Sequence, residues 1–198
     1  MTHPESARLR GTVLSGAQEF ERLLRRSEVS DDPEAARLAL AQRYSYVLPD
    51  AITLAALCDL GPLVEMGAGT GYWAYRLQRA GADIIAFDMA PPDGDIPNRY
   101  HARTATWTEV RHGGHTVLRD HSGRALFLCW PPLFSSLGDC LRSYAGDTVA
   151  CIGDGGHRTA RLRGLNDAFD VIAVHPVRAL DPLPGIAPTL SVWRRRDV

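Results

Sequence analysis

Lysine is absent from this 198-residue chain, so all 22 basic residues are arginine. Without an ε-amine the chain cannot form a Schiff base, anchor pyridoxal phosphate or complete a lysine-dependent phosphate loop. Cysteine is scarce as well: Cys58, Cys129, Cys140 and Cys151 stand singly in apolar segments, with no CxxC spacing and no companion histidine cluster. Buried reduced thiols are expected, and no metal site. Neither sign of charge is in excess, the formal net charge being -1. Counterion release from a nucleic acid needs a basic surface, so no nucleic-acid partner is expected. Long apolar runs are missing too: no stretch reaches membrane-spanning length, and the opening MTHPESARLR lacks the apolar stretch of a signal peptide. The expectation is a cytoplasmic protein with no membrane partner.

What the chain does contain is enough apolar material, 45% of its residues, for one well-buried core. From residue 62 onward, short β-rich runs alternate with helix-length segments. PLVEM (62–66), DIIAFDM (83–89), ALFLCW (125–130), TVACI (148–152), DVIAV (170–174) and TLSVW (189–193) read as strands, with a weaker one at TATWTEV (104–110). Their nearly continuous apolar character predicts burial on both faces. Helices are expected at 71–80, 114–121, 134–144 and 158–168, with Gly81 and Gly146 as C-terminal stops. This is a βα repeat, hence a mostly parallel sheet covered by helices. Residues 1–61 read differently, as a helical extension or cap before a 62–198 domain. Phe20, Leu23 and Leu24 share a helix face, Asp32 and Pro33 open a second helix as N-cap and first residue, and a third runs from about Asp50 to Asp59. Between the last two, YSYVLP (44–49) is expected to be extended, because a residue before proline avoids the helical region.

The stretch VEMGAGTGYWA (64–74) follows the first strand and opens a helix. A Walker loop is excluded by the missing lysine. The dinucleotide pattern G-x-G-x-x-G fails at its third glycine, since the residue there is Tyr72, too bulky for a pyrophosphate lying over the helix end. Glu65-x-Gly67-x-Gly69-x-Gly71 instead resembles motif I of class I S-adenosylmethionine (SAM) dependent methyltransferases. The second strand ends on Asp88, which resembles that family's second acid, the one that bonds the ribose hydroxyls. A carboxylate suits that task because it only accepts, and can take both hydroxyl protons in charge-assisted bonds. YSYVLP, VEMGAGTGYWA, AFDMAPP and LCWPP together are similar to small bacterial and fungal members of the class, over roughly residues 40 to 196.

The resemblance implies an α/β, Rossmann-like seven-stranded sheet with helices on both faces, its final strand antiparallel. It implies SAM as cofactor and S-adenosylhomocysteine as product, with Glu65, Gly67, Ala68, Gly69, Gly71, Asp88, Met89, Trp107, Cys129 and Trp130 at the cofactor. One departure is informative: where amino-methyltransferases carry Asp/Asn-Pro-Pro-aromatic, this chain has Trp130 before its prolines and Leu133 after them. Lacking the acceptor that orients an exocyclic amine, it is not expected to methylate DNA adenine; the implied acceptor is a small molecule, methylated at O or N. Displacement at a sulfonium methyl rests largely on alignment, which can supply about 7 to 11 kcal/mol. Where a proton must be removed, Tyr46, Asp154 and His157 are the candidates, with His101 and Tyr44 behind them. Three other readings stand beside it: a protein of this fold using SAM without transferring methyl, an NAD(P) oxidoreductase, and a nucleic-acid or protein methyltransferase, which the charge balance and the altered proline motif disfavour. The sequence carries no signal for oligomeric state.

Overall fold

The structure, a computed structural model, describes residues 22–101, 104–131, 136–154, 163–178 and 187–196. Among the described residues three helices precede the sheet: α1 through residues 22–28, α2 (Pro33–Arg43) and α3 (Ala51–Cys58). Both predicted starts hold. Asp32 caps α2 by accepting the Ala35 amide at 3.0 Å, with Pro33 at the first position. Asp50 and Thr53 form a reciprocal capping box at α3, the Asp50 carboxylate taking the Thr53 amide at 2.8 Å. Asp50→Ala is expected to lower unfolding free energy by about 0.5 to 2 kcal/mol, read as a fall in melting temperature.

The sheet contains β1 (Leu63–Met66), β2 (Ile84–Asp88), β3 (Arg111–His112), β4 (Ala125–Cys129), β5 (Thr148–Asp154), β6 (Phe169–Pro176) and β7 (Pro188–Arg195). Their spatial order is β3-β2-β1-β4-β5-β7-β6, with β7 antiparallel to both neighbours and the other pairings parallel. Between strands run α4 (Tyr72–Arg79), a 3-10 helix (His115–Asp120), α5 (Ser136–Ser143) and α6 (Arg163–Ala168). Strand pleating sends successive side chains to opposite faces, and two cores result. Leu63, Ala86, Phe127, Ala150 and Ile152 meet α3 and α4 on one side. On the other, Val64, Phe87, Leu126, Leu128, Val149 and Cys151 meet the 3-10 helix, α5 and α6. Leu54 and Leu57 of α3 belong to the first of these cores, so the last helix of the N-terminal extension is also a layer of the sheet.

Three sequence expectations need correction. The weak strand is not TATWTEV but the two residues after it, Arg111 and His112. Trp107 and Thr108 instead bond across to Thr70 and Gln78, which draws that segment away from the sheet edge. The segment expected to be a helix at 114–121 forms the tighter 3-10 type. Burial on both faces fails at β6, where Val171, Ile172 and Val174 are exposed. It is an edge strand, paired with β7 alone and bulged between Val171 and Ala173, so apolar composition there does not report an interior position. The expected C-terminal stop at Gly81 is present, in the left-handed region at φ +94°.

Candidate active site

In a parallel sheet the ligand crevice lies beyond the carboxyl ends of the strands, where the strand order reverses. Here the chain leaves β1 toward β2 on one side and reaches β4 on the other, and the three-glycine turn lies at that point. Gly67, Gly69 and Gly71 all adopt positive φ, at 76°, 53° and 71°. A side chain is strained in each of these conformations, which is why glycine alternates along the turn. The turn is tied to β2 from two directions. The Gly67 and Ala68 amides donate to the Phe87 carbonyl at 2.8 and 3.0 Å, and the Gly69 amide donates to Asp88 Oδ2 at 2.8 Å. Asp88 Oδ1 takes the Ala90 amide at 2.8 Å. Each carboxylate oxygen therefore keeps a lone pair while the group is held rigid by two backbone donors.

Glu65 sits one residue before the end of β1, only 1% exposed. The Ala74 amide, in the first turn of α4, hydrogen-bonds its carboxyl, yet Oε2 has no hydrogen-bond partner. Burial first, then the nearby Asp88, push this carboxyl up to about 8, against the pull of the Ala74 amide. A cationic group is the chemical complement of such an oxygen. Beside it, burial raises the Cys129 thiol well above its usual range, the Glu65 charge adding to the effect. Cys129 is therefore a protonated thiol rather than a nucleophile. The next residue, Trp130, adopts φ +53°, and among the described residues it alone does so without being glycine. Its amide donates to the Ile152 carbonyl at 2.8 Å, and its half-buried side chain packs on the α3/α4 core. Left-handed backbone at a large residue costs about 1 to 2 kcal/mol and is typical of positions that serve a site.

The cap is clasped onto this turn. At the end of a helix the last carbonyls lack partners, and α2 finds them in the sheet unit. Trp107 Nε1 donates to the Arg43 carbonyl at 2.8 Å, Thr70 Oγ1 to that of Tyr44 at 2.5 Å, and Trp73 Nε1 to that of Val47 at 2.9 Å. His101 completes the set, with Nδ1 2.7 Å from the Gln42 carbonyl. A carbonyl only accepts, so Nδ1 carries the proton; burial lowers the pKa of this ring, against the Gln42 bond and Asp88. Its other nitrogen faces Gly69, where an added Cβ would come within 2.6 Å of Nε2. Tyr46 meets the same ring edge-on, centroids 5.9 Å apart. Tyr72, at the first position of α4, is buried between Tyr44 and Trp107, each 5.1 Å away, so the helix end that a pyrophosphate would need lies beneath aromatic rings.

Of the residues singled out in the sequence, Glu65, Gly67, Ala68, Gly69, Gly71, Asp88, Cys129 and Trp130 gather at the ends of β1, β2 and β4. Tyr46 reaches them through His101. Met89 follows Asp88 with 66% of its surface exposed. Trp107 lies in the aromatic cluster between cap and α4, joined to the glycine turn by its amide bond to the Thr70 carbonyl at 2.8 Å. Asp154 is the last residue of β5, its backbone in register with Pro188. His157 lies outside the described residues. Thr70 and Trp73 were missed by sequence reasoning, although both belong to the motif; nothing in one dimension says that their side chains bond a segment over twenty residues earlier. Among the described residues there is no group of three or more potential metal ligands, nor a helix long and apolar enough to cross a membrane.

Sheet order, antiparallel seventh strand and the glycine turn at the switch point together define the class I SAM-dependent methyltransferase fold, and the chain has it. No protein-family model matches the sequence, and no curated protein matches it either. Solved structures do. The methyltransferase domain of bacterial CtHen1 is similar at 14% identity, with 78% of this chain and 98% of that one covered and a TM-score of 0.51. Magnesium protoporphyrin IX methyltransferase from Synechocystis, solved with bound SAM, is similar at 12% identity, covering 72% and 74%, with a TM-score of 0.47. An rRNA methylase from Streptococcus thermophilus is similar at 18% identity, covering 73% and 92%, with a TM-score of 0.42. What the CtHen1 domain shares with the chain is its fold.

Proposed function

We propose that the chain is a SAM-dependent methyltransferase acting at O or N of a small molecule. The observation that carries the reading is the bond between the two halves of the signature: Gly69, in the left-handed glycine turn, donates to the Asp88 carboxylate at the end of β2. That bond fixes the acid that would hold the ribose against the turn that would admit the amino-acid arm. Two features fit the cofactor independently of the motif. Glu65 presents a buried oxygen with no partner, suited to an ammonium, and a Cβ added at Gly67 would meet nothing within 4 Å, leaving space over the turn.

When bound, SAM supplies an electrophilic methyl on sulfonium. The chain's own groups then have three tasks. Asp88, whose two oxygens each take one backbone amide, would use its remaining lone pairs on the ribose hydroxyls, Glu65 would face the amino group, and Trp130, packed on the α3/α4 core at the end of β4, would offer apolar surface beside them. Tyr46 and His101 cover the crevice from the cap side. Burial and the neighbouring Tyr100 hold the Tyr46 phenol above its usual range, so it remains protonated and orients a partner through its O–H. Tyr46→Phe is expected to lower turnover about threefold to tenfold with little change in melting temperature. Normal turnover would reduce Tyr46 to a packing role.

The small-molecule acceptor rests on the net charge of -1 and on the altered Pro-Pro motif. Labelled methyl transfer from SAM tests it, with a small-metabolite fraction and total RNA supplied as competing acceptors. Label in the small-molecule fraction supports the reading; label in RNA overturns the acceptor class. Binding of SAM without any homocysteine product would favour the non-methylating alternative.

A further inference from the structure

We propose that loading of the site by a ligand bearing a cationic amino group expels a proton from Glu65: the free protein holds this carboxyl neutral, and the loaded protein holds it as the carboxylate. The inference rests on the cofactor reading above and goes beyond it in assigning a protonation change to a named side chain.

The geometry is that of an acid enclosed without a counter-charge. Glu65 is 1% exposed, it has one oxygen with no hydrogen-bond partner, and the groups around it come from four elements. From β2 comes Asp88, a like charge, and from β4 the protonated Cys129 thiol. From α4 comes the Ala74 amide, the one group that favours the ionised form. From the cap side Ser45 shares Cys129 with the Trp73 indole. Among the described residues none of the charges acting on Glu65 is positive, and His101, which stands near Asp88, is pushed toward its neutral form by burial. A carboxylate left alone in such a place is costly, and the proton is the cheapest available cation.

The sign follows directly. The carboxyl of the free protein is raised to about 8, so below that pH it is protonated. An ammonium arriving beside Oε2 stabilises the carboxylate; the O–H bond of the carboxyl breaks and its proton passes to the buffer. Affinity for the amino-bearing ligand then climbs with pH by up to about tenfold per unit and levels off above about 8.

Isothermal calorimetry at pH 6.5, in buffers of different ionisation enthalpy, counts the protons released. Two probes are compared: S-adenosylhomocysteine, whose amino group is already charged at that pH, and 5'-methylthioadenosine, which keeps the ribose and adenine but lacks the amino-acid arm. Release approaching about one proton with the first and about none with the second is expected. Both probes present the same ribose hydroxyls, so they differ at the amino-acid arm alone. In Glu65→Gln, which keeps an acceptor for the Ala74 amide, the difference between probes should vanish while methylthioadenosine still binds. Should that variant fail to fold, the two probes on the native protein decide alone. Binding of S-adenosylhomocysteine without release, or equal release with both probes, overturns this inference and leaves the cofactor reading standing. Binding of neither overturns both.

Discussion

Truncating Trp73 to alanine is expected to lower unfolding free energy by about 3 to 5 kcal/mol, the largest stability effect of any single change considered. Three losses coincide at this residue. Its indole is 2% exposed in the α3/α4 core and meets Phe127 of β4 edge-on, with centroids 5.4 Å apart. Its Nε1 donates to the Val47 carbonyl, which sits in the buried segment between α2 and α3 and would be left without that donor. Trp73→Phe separates the contributions: it keeps most of the ring and deletes only the donor, so a loss of about 1 to 3 kcal/mol is expected for the orphaned carbonyl. Chemical denaturation of both variants checks this. A Trp73→Phe protein as stable as the native one would mean that the indole bond contributes nothing and that packing alone attaches the cap here.

The second large effect is on binding. Asp88→Ala is expected to weaken S-adenosylhomocysteine binding by a hundredfold or more. Two ribose bonds to a carboxylate at about 1.5 kcal/mol or more each already amount to about 3 kcal/mol, and each 1.4 kcal/mol is a factor of ten. The structure adds a further contribution, because the same substitution strips acceptors from the Gly69 and Ala90 amides and loosens the turn that the ligand must meet. Stability should therefore fall along with affinity. Asp88→Asn distinguishes the two roles: one amide oxygen still serves one backbone donor, while the other backbone N–H faces an amine, so affinity drops with a smaller shift in melting temperature. Unchanged affinity in the alanine variant, measured by calorimetry, would remove Asp88 from the site.

Both effects originate in one small region, where the cap, the glycine turn and the end of β2 share hydrogen bonds. His101 is the clearest case. It donates to α2 at Gln42, lies against Gly69, touches Tyr46 and feels Asp88, so cap and crevice cannot move independently of it. A methyl group added at Gly69 would strike this ring and would also strain the backbone at φ +53°. The helical extension is thus tied to the glycine turn and α4 through donors from Thr70, Trp73, His101 and Trp107 to carbonyls at the end of α2 and just beyond.

The amino-acid sequence by itself determined the parts of this protein that depend on local backbone geometry. Alternating glycines between a strand and a helix demand left-handed conformations, and the turn has them; Asp32-Pro33 and Asp50 with Thr53 specify helix starts, and the helices start there. A βα alternation leaves little choice but a largely parallel sheet. The tertiary structure decided what requires distant residues to meet. It moved the third strand past TATWTEV, because Trp107 and Thr108 are drawn to the glycine turn and α4; it left β6 exposed, because a strand's place in a sheet is set by its neighbours rather than by its composition. It also turned Glu65 from a motif letter into a buried acid with an unpartnered oxygen, an energetic state that exists only once β2, β4 and α4 have closed around it and removed water.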